Sequence, residues 1–283
     1  MTNKKIKNIS ASVKAKLLNL AKTEKKDFNK ILLRYFQEGL LRRLSLSKYK
    51  NNFVLKGGLL LILIDVKTTR PTMDIDFLAQ KTKNDLETIK NIFKEISEVS
   101  LADGISFSPN SVEVSRIKED ADYEGVRVKI LCNLGQAEQL LQIDLGFGDV
   151  ITPDEQDILF PSMIWEEESK LKGYPLETVV AEKYEAMIKL ALLNSRMKDF
   201  YDVYTIIKEG SLRREVLKAA IKNTFANRNT DLPTEPFVFT EVFYNNPDKQ
   251  TQWAAFLKKN TITDAPQTFK EVVAGIKEFF KTV

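Results

Sequence analysis

Apolar residues recur every three or four positions through 9–23 and again from Phe28 to Leu46, and both stretches read as amphipathic helices. In the first, Val13, Leu17, Leu18 and Ala21 make the stripe, with Ser10 or Ser12 placed to cap it. In the second, Ile31, Leu32, Tyr35, Phe36, Leu40 and Leu41 do so behind Asp27, a good N-cap. The pattern then breaks at Gly57-Gly58, which predicts a short strand over 53–56, a turn and a buried helix to about Ile64. Residues 73–79 alternate strictly, with Met73, Ile75 and Phe77 assigned to the core and Asp74 and Asp76 to the other face. The same alternation, carried back along the extended segment, puts Arg70 and Thr72 on the aspartates' side. A polar helix over 83–97 and strands near 111–117, 126–132 and 139–144 follow.

Texture changes over 145–177, where Gly146, Gly148, Pro153, Pro161, Gly173 and Pro175 gather around the acidic run 166–168. Beyond it the periodicity is helical over 178–193, 196–209, 213–226, 250–259 and 267–281. The expected class is α+β: a mixed sheet flanked by helices, then a mostly α-helical C-terminal lobe. The expected divisions are N-terminal helices over 1–50 that pack on the catalytic lobe, an α/β lobe over 51–176 and a helical lobe over 177–283.

Composition narrows the chemistry more than the fold. The 283 residues include no histidine, which removes Ser-His-Asp and Cys-His schemes and most zinc, iron and copper sites. One cysteine, Cys132, excludes an intrachain disulfide and reads as a small buried hydrophobe. No apolar run reaches the ~20 residues a membrane span needs, and no apolar stretch follows the opening lysines, so a cytoplasmic protein is expected. A net charge of +4 does not argue nucleic-acid binding by itself. What remains is chemistry by carboxylates, lysine, arginine, hydroxyls or a hard cation.

Asp74 and Asp76, two residues apart on one strand face, can share a divalent cation; without a metal or an arginine their proximity is unfavourable. The plain alternative is a surface strand with two solvated aspartates. Asp144 lies between apolar neighbours on a later strand, where an unpaired carboxylate is costly. It is expected to hold metal or to deprotonate an attacking hydroxyl. Gly57-Gly58 either presents backbone N–H groups to phosphate or is an ordinary tight turn.

A glycine pair, an Asp-x-Asp strand and a later strand aspartate together resemble the polymerase-β-like nucleotidyltransferases. The segments Leu55-Lys-Gly-Gly, Arg70-Pro-Thr-Met-Asp-Ile-Asp-Phe, Ile143-Asp-Leu-Gly-Phe-Gly-Asp, Ala181-Glu-Lys and Arg196-Met-Lys-Asp-Phe-Tyr-Asp are similar to those of the AbiEii/AbiGii toxin family, over roughly residues 8–210. The resemblance implies a two-lobed NTP transferase using one or two Mg²⁺ ions. It implies a toxin of a toxin–antitoxin or phage-defence pair, with a cognate antitoxin as partner and RNA as acceptor, the tRNA 3′ end foremost.

By motif it places catalytic roles on Asp74, Asp76, Lys183 and Asp199; Asp144, read from its own setting, joins the two strand aspartates as a catalytic residue and metal ligand. Nucleotide contacts fall to Gly57, Gly58, Arg70, Thr72, Lys183, Arg196 and Asp202. A turn at Asn194-Ser195 leaves Lys183 and Asp199 on antiparallel helices with an axial gap of roughly 10 Å, which a bound nucleotide could fill. Two other readings stay open: transfer to a protein hydroxyl, and a nucleotide-binding module without turnover. Without the resemblance, Lys183, Arg196, Asp199 and Asp202 would read as a surface ion network.

Overall fold

The computed structural model describes residues 8–63, 70–120 and 123–283. These form two compact units, each discontinuous in sequence. The first gathers residues 8–59, Thr72–Gly148 and Asp157–Gly173; the second gathers 60–63 with 70–71, Asp149–Gln156 and Tyr174–Val283.

The first unit is a mixed sheet backed by helices. Its strands are β1 (Phe53–Lys56), β2 (Asp74–Ala79), β3 (Ile105–Phe107), β4 (Glu113–Asp120), β5 (Tyr123–Leu134), β6 (Ala137–Gly146), β7 (Gln156–Phe160) and β8 (Ser169–Gly173). The order is β3-β5-β6-β2-β1-β8-β7, with β4 also pairing with β5. β2 runs parallel to β6 and antiparallel to β1, and β8 lies parallel to β1. Period-two alternation sends Ile75, Phe77, Val128, Ile130, Ile143 and Leu145 into the core, leaving the other face of β2, β5 and β6 to polar side chains.

Helices α1 (Ile9–Glu24), α2 (Phe28–Leu46), the single-turn α3 (Gly57–Leu60) and α4 (Leu86–Ser97) belong to this unit. α2 has the expected bounds, and the Asp27 carboxylate accepts from the N–H groups of Asn29 and Lys30. α1 is capped by Asn8 rather than by Ser10 or Ser12, which lie inside the helix. α2 packs on β8 and β6, and the α4 side of the sheet is filled by Phe53, Phe77 and Phe93. A buried ion pair fastens α2 to the start of β3: the Arg43 guanidinium donates to both Asp103 oxygens at 2.7 and 3.2 Å and to the Ile105 carbonyl. Cys132 is fully buried and burial pushes its thiol up to about 12, so the hydrophobe reading holds. The helix expected after Gly58 is described only through Leu63; its last position, Ile64, lies outside the described residues.

The second unit is helical: α5 (Leu176–Leu190), α6 (Met197–Glu209), α7 (Arg214–Asn227), the short α8 (Glu241–Tyr244), α9 (Pro247–Asn260) and α10 (Phe269–Phe280). α5 packs on α6 and α7, and α6 on α9 and α10. The residues beyond 210, silent at the level of motifs, have a clear packing role here. Phe243, Trp253 and Phe269 are fully buried with Phe200 of α6, Phe269 meeting it edge-on at 4.9 Å. They supply the apolar support for the helix that carries Asp199 and Asp202.

Candidate active site

Asp76 and Asp144 are direct Cα partners on the parallel strands β2 and β6, and Asp74 sits opposite Gln142 one step along. The side chains share the polar face of the sheet. One carboxylate oxygen from each of Asp74, Asp76 and Asp144 lies within 4.8 Å of the others, with Asp144 buried and the other two half-buried. At such separations each pair repels by on the order of 3 kcal/mol at an effective dielectric near 20. The arrangement therefore calls for positive charge.

Three neighbours hold it. The Thr72 hydroxyl donates to Asp74 Oδ1 at 2.9 Å. Gly57 follows β1 and opens α3 with φ +68°, and a Cβ built there would fall 1.9 Å from Asp76 Oδ2, so only glycine leaves room for that carboxylate. Gly58, the next residue, is buried in α3. Gly57→Ala is accordingly expected to cut activity at least tenfold and to lose about 1–2 kcal/mol by urea denaturation, since the αL strain and the displaced Asp76 act together. An alanine variant with wild-type activity would show that Asp76 does not need its present position.

Arg127 is the third neighbour, and motif reading missed it. It lies on β5 as the Cα partner of Asp144. Its Nε and Nη2 donate to the two Asp144 oxygens at 2.8 and 2.7 Å, and Gln142 Nε2 adds a bond of 3.3 Å to Oδ2. The hydrogen bond to Asp144 raises the guanidinium pKa above its ordinary value against a desolvation cost, with the charges of Asp144, Asp74 and Asp76 adding to the rise. The one signal in the sequence was the apolar setting of Asp144, which demanded a partner without saying where it would come from.

A second cluster belongs to the helical unit and alternates in sign. Arg196 Nε is 2.6 Å from Asp199 Oδ2, and Lys183 Nζ is 2.6 Å from Asp199 Oδ1 and 2.8 Å from Asp202 Oδ2. Arg70 closes the series with a two-pronged bond to Asp202, both distances 2.9 Å. Burial acts to lower the Lys183 ammonium, but Asp199 and Asp202 override it and hold it above its ordinary value. Burial likewise works to raise Asp199, and Lys183 and Arg196 hold it down at about 2. The roughly 10 Å expected between Lys183 and Asp199 is thus closed by direct contact.

Two expectations about the strand change. β2 begins at Asp74, so Met73 precedes the ladder and is 68% exposed rather than in the core. Arg70 is part of the helical unit, joined to Asp202, and does not share the aspartates' strand; Pro71, which has no N–H to give a ladder, separates them.

Comparison with known proteins places this geometry. The family model described as "Nucleotidyl transferase AbiEii toxin, Type IV TA system" matches residues 39–275. The chain belongs to the AbiEii family. It is therefore a nucleotidyl transferase, the toxin component of a type IV toxin–antitoxin system, and an antitoxin is its partner in that system. The AbiEii match begins at residue 39 and reaches 65 residues beyond residue 210, into α10.

Among solved structures, JHP933 from Helicobacter pylori aligns at a TM-score of 0.53 and 15% identity, covering 90% of this chain and 92% of that one. A candidate nucleotidyltransferase from H. pylori aligns at 0.50 and 16%, with the same coverage. At such identities the likeness is one of fold. No protein of curated function matches the chain significantly. No helix among the described residues is long and apolar enough to cross a membrane.

The donor set fits the metal that a nucleotidyl transferase implies. Carboxylate oxygens without histidine or thiolate suit a hard cation such as Mg²⁺.

Proposed function

We propose that this AbiEii toxin transfers a nucleotide from an NTP to an RNA hydroxyl, with the tRNA 3′ end as the favoured acceptor, in a Mg²⁺-dependent reaction. The observation that carries the reading is the meeting of Asp74, Asp76 and Asp144 within 4.8 Å on neighbouring parallel strands. Asp74, Asp76 and Asp144 are the residues that would hold the metal. When bound, the metal neutralises triphosphate charge and favours attack at the α-phosphorus.

The chain's own side chains do the rest. Thr72 fixes the rotamer of Asp74, Gly57 gives Asp76 its seat, and Arg127 supplies fixed positive charge facing all three carboxylates. In nucleotidyl transfer the acceptor hydroxyl forms the new ester, pyrophosphate leaves, and the hydroxyl proton goes to a carboxylate or to water. Lys183, Asp199, Arg196 and Asp202 enter the reading through the family motif, as charged groups assigned to the nucleotide or to positioning one another. RNA as the acceptor rests on the family resemblance. A cytoplasmic site of action is part of the same proposal.

The test presents each of the four NTPs, α-labelled, with Mg²⁺ and total RNA, and maps 3′-end extension. Label is expected in RNA and is expected to vanish with EDTA. Label entering a protein fraction instead would move the acceptor to a protein hydroxyl. Absence of pyrophosphate release with every NTP would leave a binding module.

A further inference from the structure

Lys249, in the first turn of α9, carries its charge where the setting disfavours it. It is 5% exposed, no carboxylate among the described residues pairs with it, and the first turn is the positive end of a helix. Burial pushes the ammonium below its ordinary value, and the charge of Asp248 offsets that only in part. What the ammonium touches is a main-chain carbonyl: Nζ donates to the Asn194 oxygen at 2.6 Å and lies 5.6 Å from the centre of the Phe243 ring. A methionine would fill similar space without the cost of burying a charge, so the bond to Asn194 is what the ammonium alone supplies.

Asn194 is fully buried in the turn between α5 and α6 and is held from two sides. Its carbonyl takes Lys249; its Oδ1 accepts from the Arg196 N–H at 2.8 Å, while its Nδ2 has no partner among the described residues. Arg196 stands just before α6 in a non-helical conformation, φ −82° and ψ 65°, and its side chain does not cap the helix. The direction in which its guanidinium leaves is therefore set by the turn behind it. From there Nε reaches Asp199 Oδ2 at 2.6 Å, and Asp199 Oδ1 takes Lys183. All of these residues belong to the helical unit.

We propose that Lys249 is a positioning residue for nucleotide binding: its ammonium pins the Asn194 peptide, and the pinned turn delivers Arg196 to Asp199. The inference rests on the reading above that assigns Lys183, Arg196 and Asp199 to the nucleotide, and it extends that reading to α9. Arg196 engages one Asp199 oxygen and Lys183 the other. When Arg196 drifts away, Asp199 draws more fully on Lys183, and the cation that would meet phosphate is neutralised. Loss of the Lys249 ammonium thus weakens the hold on the nucleotide from a distance.

The full-length protein with Mg²⁺ and no RNA decides it, by equilibrium dialysis against each of the four NTPs. In parallel the ¹⁵N-labelled arginine Nε–H signals are recorded, that of Arg196 being identified by its loss in R196K. K249M, which keeps an unbranched apolar chain, is expected to shift the Arg196 signal and to raise the NTP dissociation constant at least about tenfold. K249R, which restores a cation, is expected to recover most of that loss. V272A, which opens the buried face of α10 instead, is expected to melt below wild type with signal and affinity unchanged.

A folded K249M with the wild-type Arg196 signal or the wild-type affinity would overturn the inference. So would a V272A protein that loses affinity to the same degree, since the effect would then be one of stability alone. Should K249M fail to fold, N194A decides: it keeps the carbonyl for Lys249, deletes the acceptor for the Arg196 N–H, and is expected to shift that signal and weaken NTP binding. Wild-type values in N194A would overturn the inference. R196Q binding NTP like wild type would bring down the assignment of the cluster to the nucleotide, even where K249M shifts the Arg196 signal.

Discussion

Replacing either Asp74 or Asp76 by asparagine is expected to abolish nucleotide incorporation, a loss on the order of 10²–10³-fold or more. The isosteric amide removes the charge but little volume, so the polar face of β2 keeps its shape. The three oxygens within 4.8 Å repel one another without a cation, and deleting one charge relieves that strain. The Asp74 variant, whose carboxylate accepts from the neutral Thr72 hydroxyl, should therefore melt no lower than wild type in the absence of Mg²⁺, as followed by circular dichroism. Loss of the stabilisation that Mg²⁺ gives wild type should accompany loss of activity. If both variants incorporate label at the wild-type rate, the carboxylates are not the reaction centre.

The second large effect is structural in the first instance. Lys183→Met is expected to destabilise the protein by about 3–5 kcal/mol, a fall of roughly 10 °C in melting temperature. Lys183 is the middle member of the series Arg196–Asp199–Lys183–Asp202–Arg70, and without it two carboxylates that are 0% and 1% exposed face each other. Each still has an arginine, which limits the loss. The double variant Lys183→Met with Asp202→Asn removes one charge of each sign and should recover part of the stability. A Lys183→Met protein that melts like wild type would show that the buried series is not what holds α5 to α6.

Much of this was legible in the chain. Alternation of Asp74, Ile75, Asp76 and Phe77 announced a strand with carboxylates on one side, because one buried face of a sheet leaves a period of two. α2 was legible to the residue, since Asp27 stops one pattern and starts another. Arg127 was not, because Val126-Arg-Val-Lys-Ile reads as any half-buried strand, and no periodicity states which residue of β5 will lie across from Asp144. β3, β7 and β8 escaped for a related reason. Three to five residues such as Ser169-Lys-Leu-Lys-Gly carry too little pattern to distinguish a strand from a loop, and β8 is strand because β1 and β7 lie on either side of it. Met73 was assigned inward by extending the alternation one residue too far back, beyond the start of β2 at Asp74.

β8 also bears on how the chain matures. β1 is buried along its whole length between β2 and a strand that comes more than a hundred residues later, and the chain passes between the two units four times before that strand is made. During synthesis, the strand that positions Gly57 must therefore wait beside an unfilled edge until Ser169–Gly173 leaves the ribosome. A nascent chain halted at Gly148 would present that edge to other chains, so the sheet that bears the aspartates cannot mature as an early, separate product of translation.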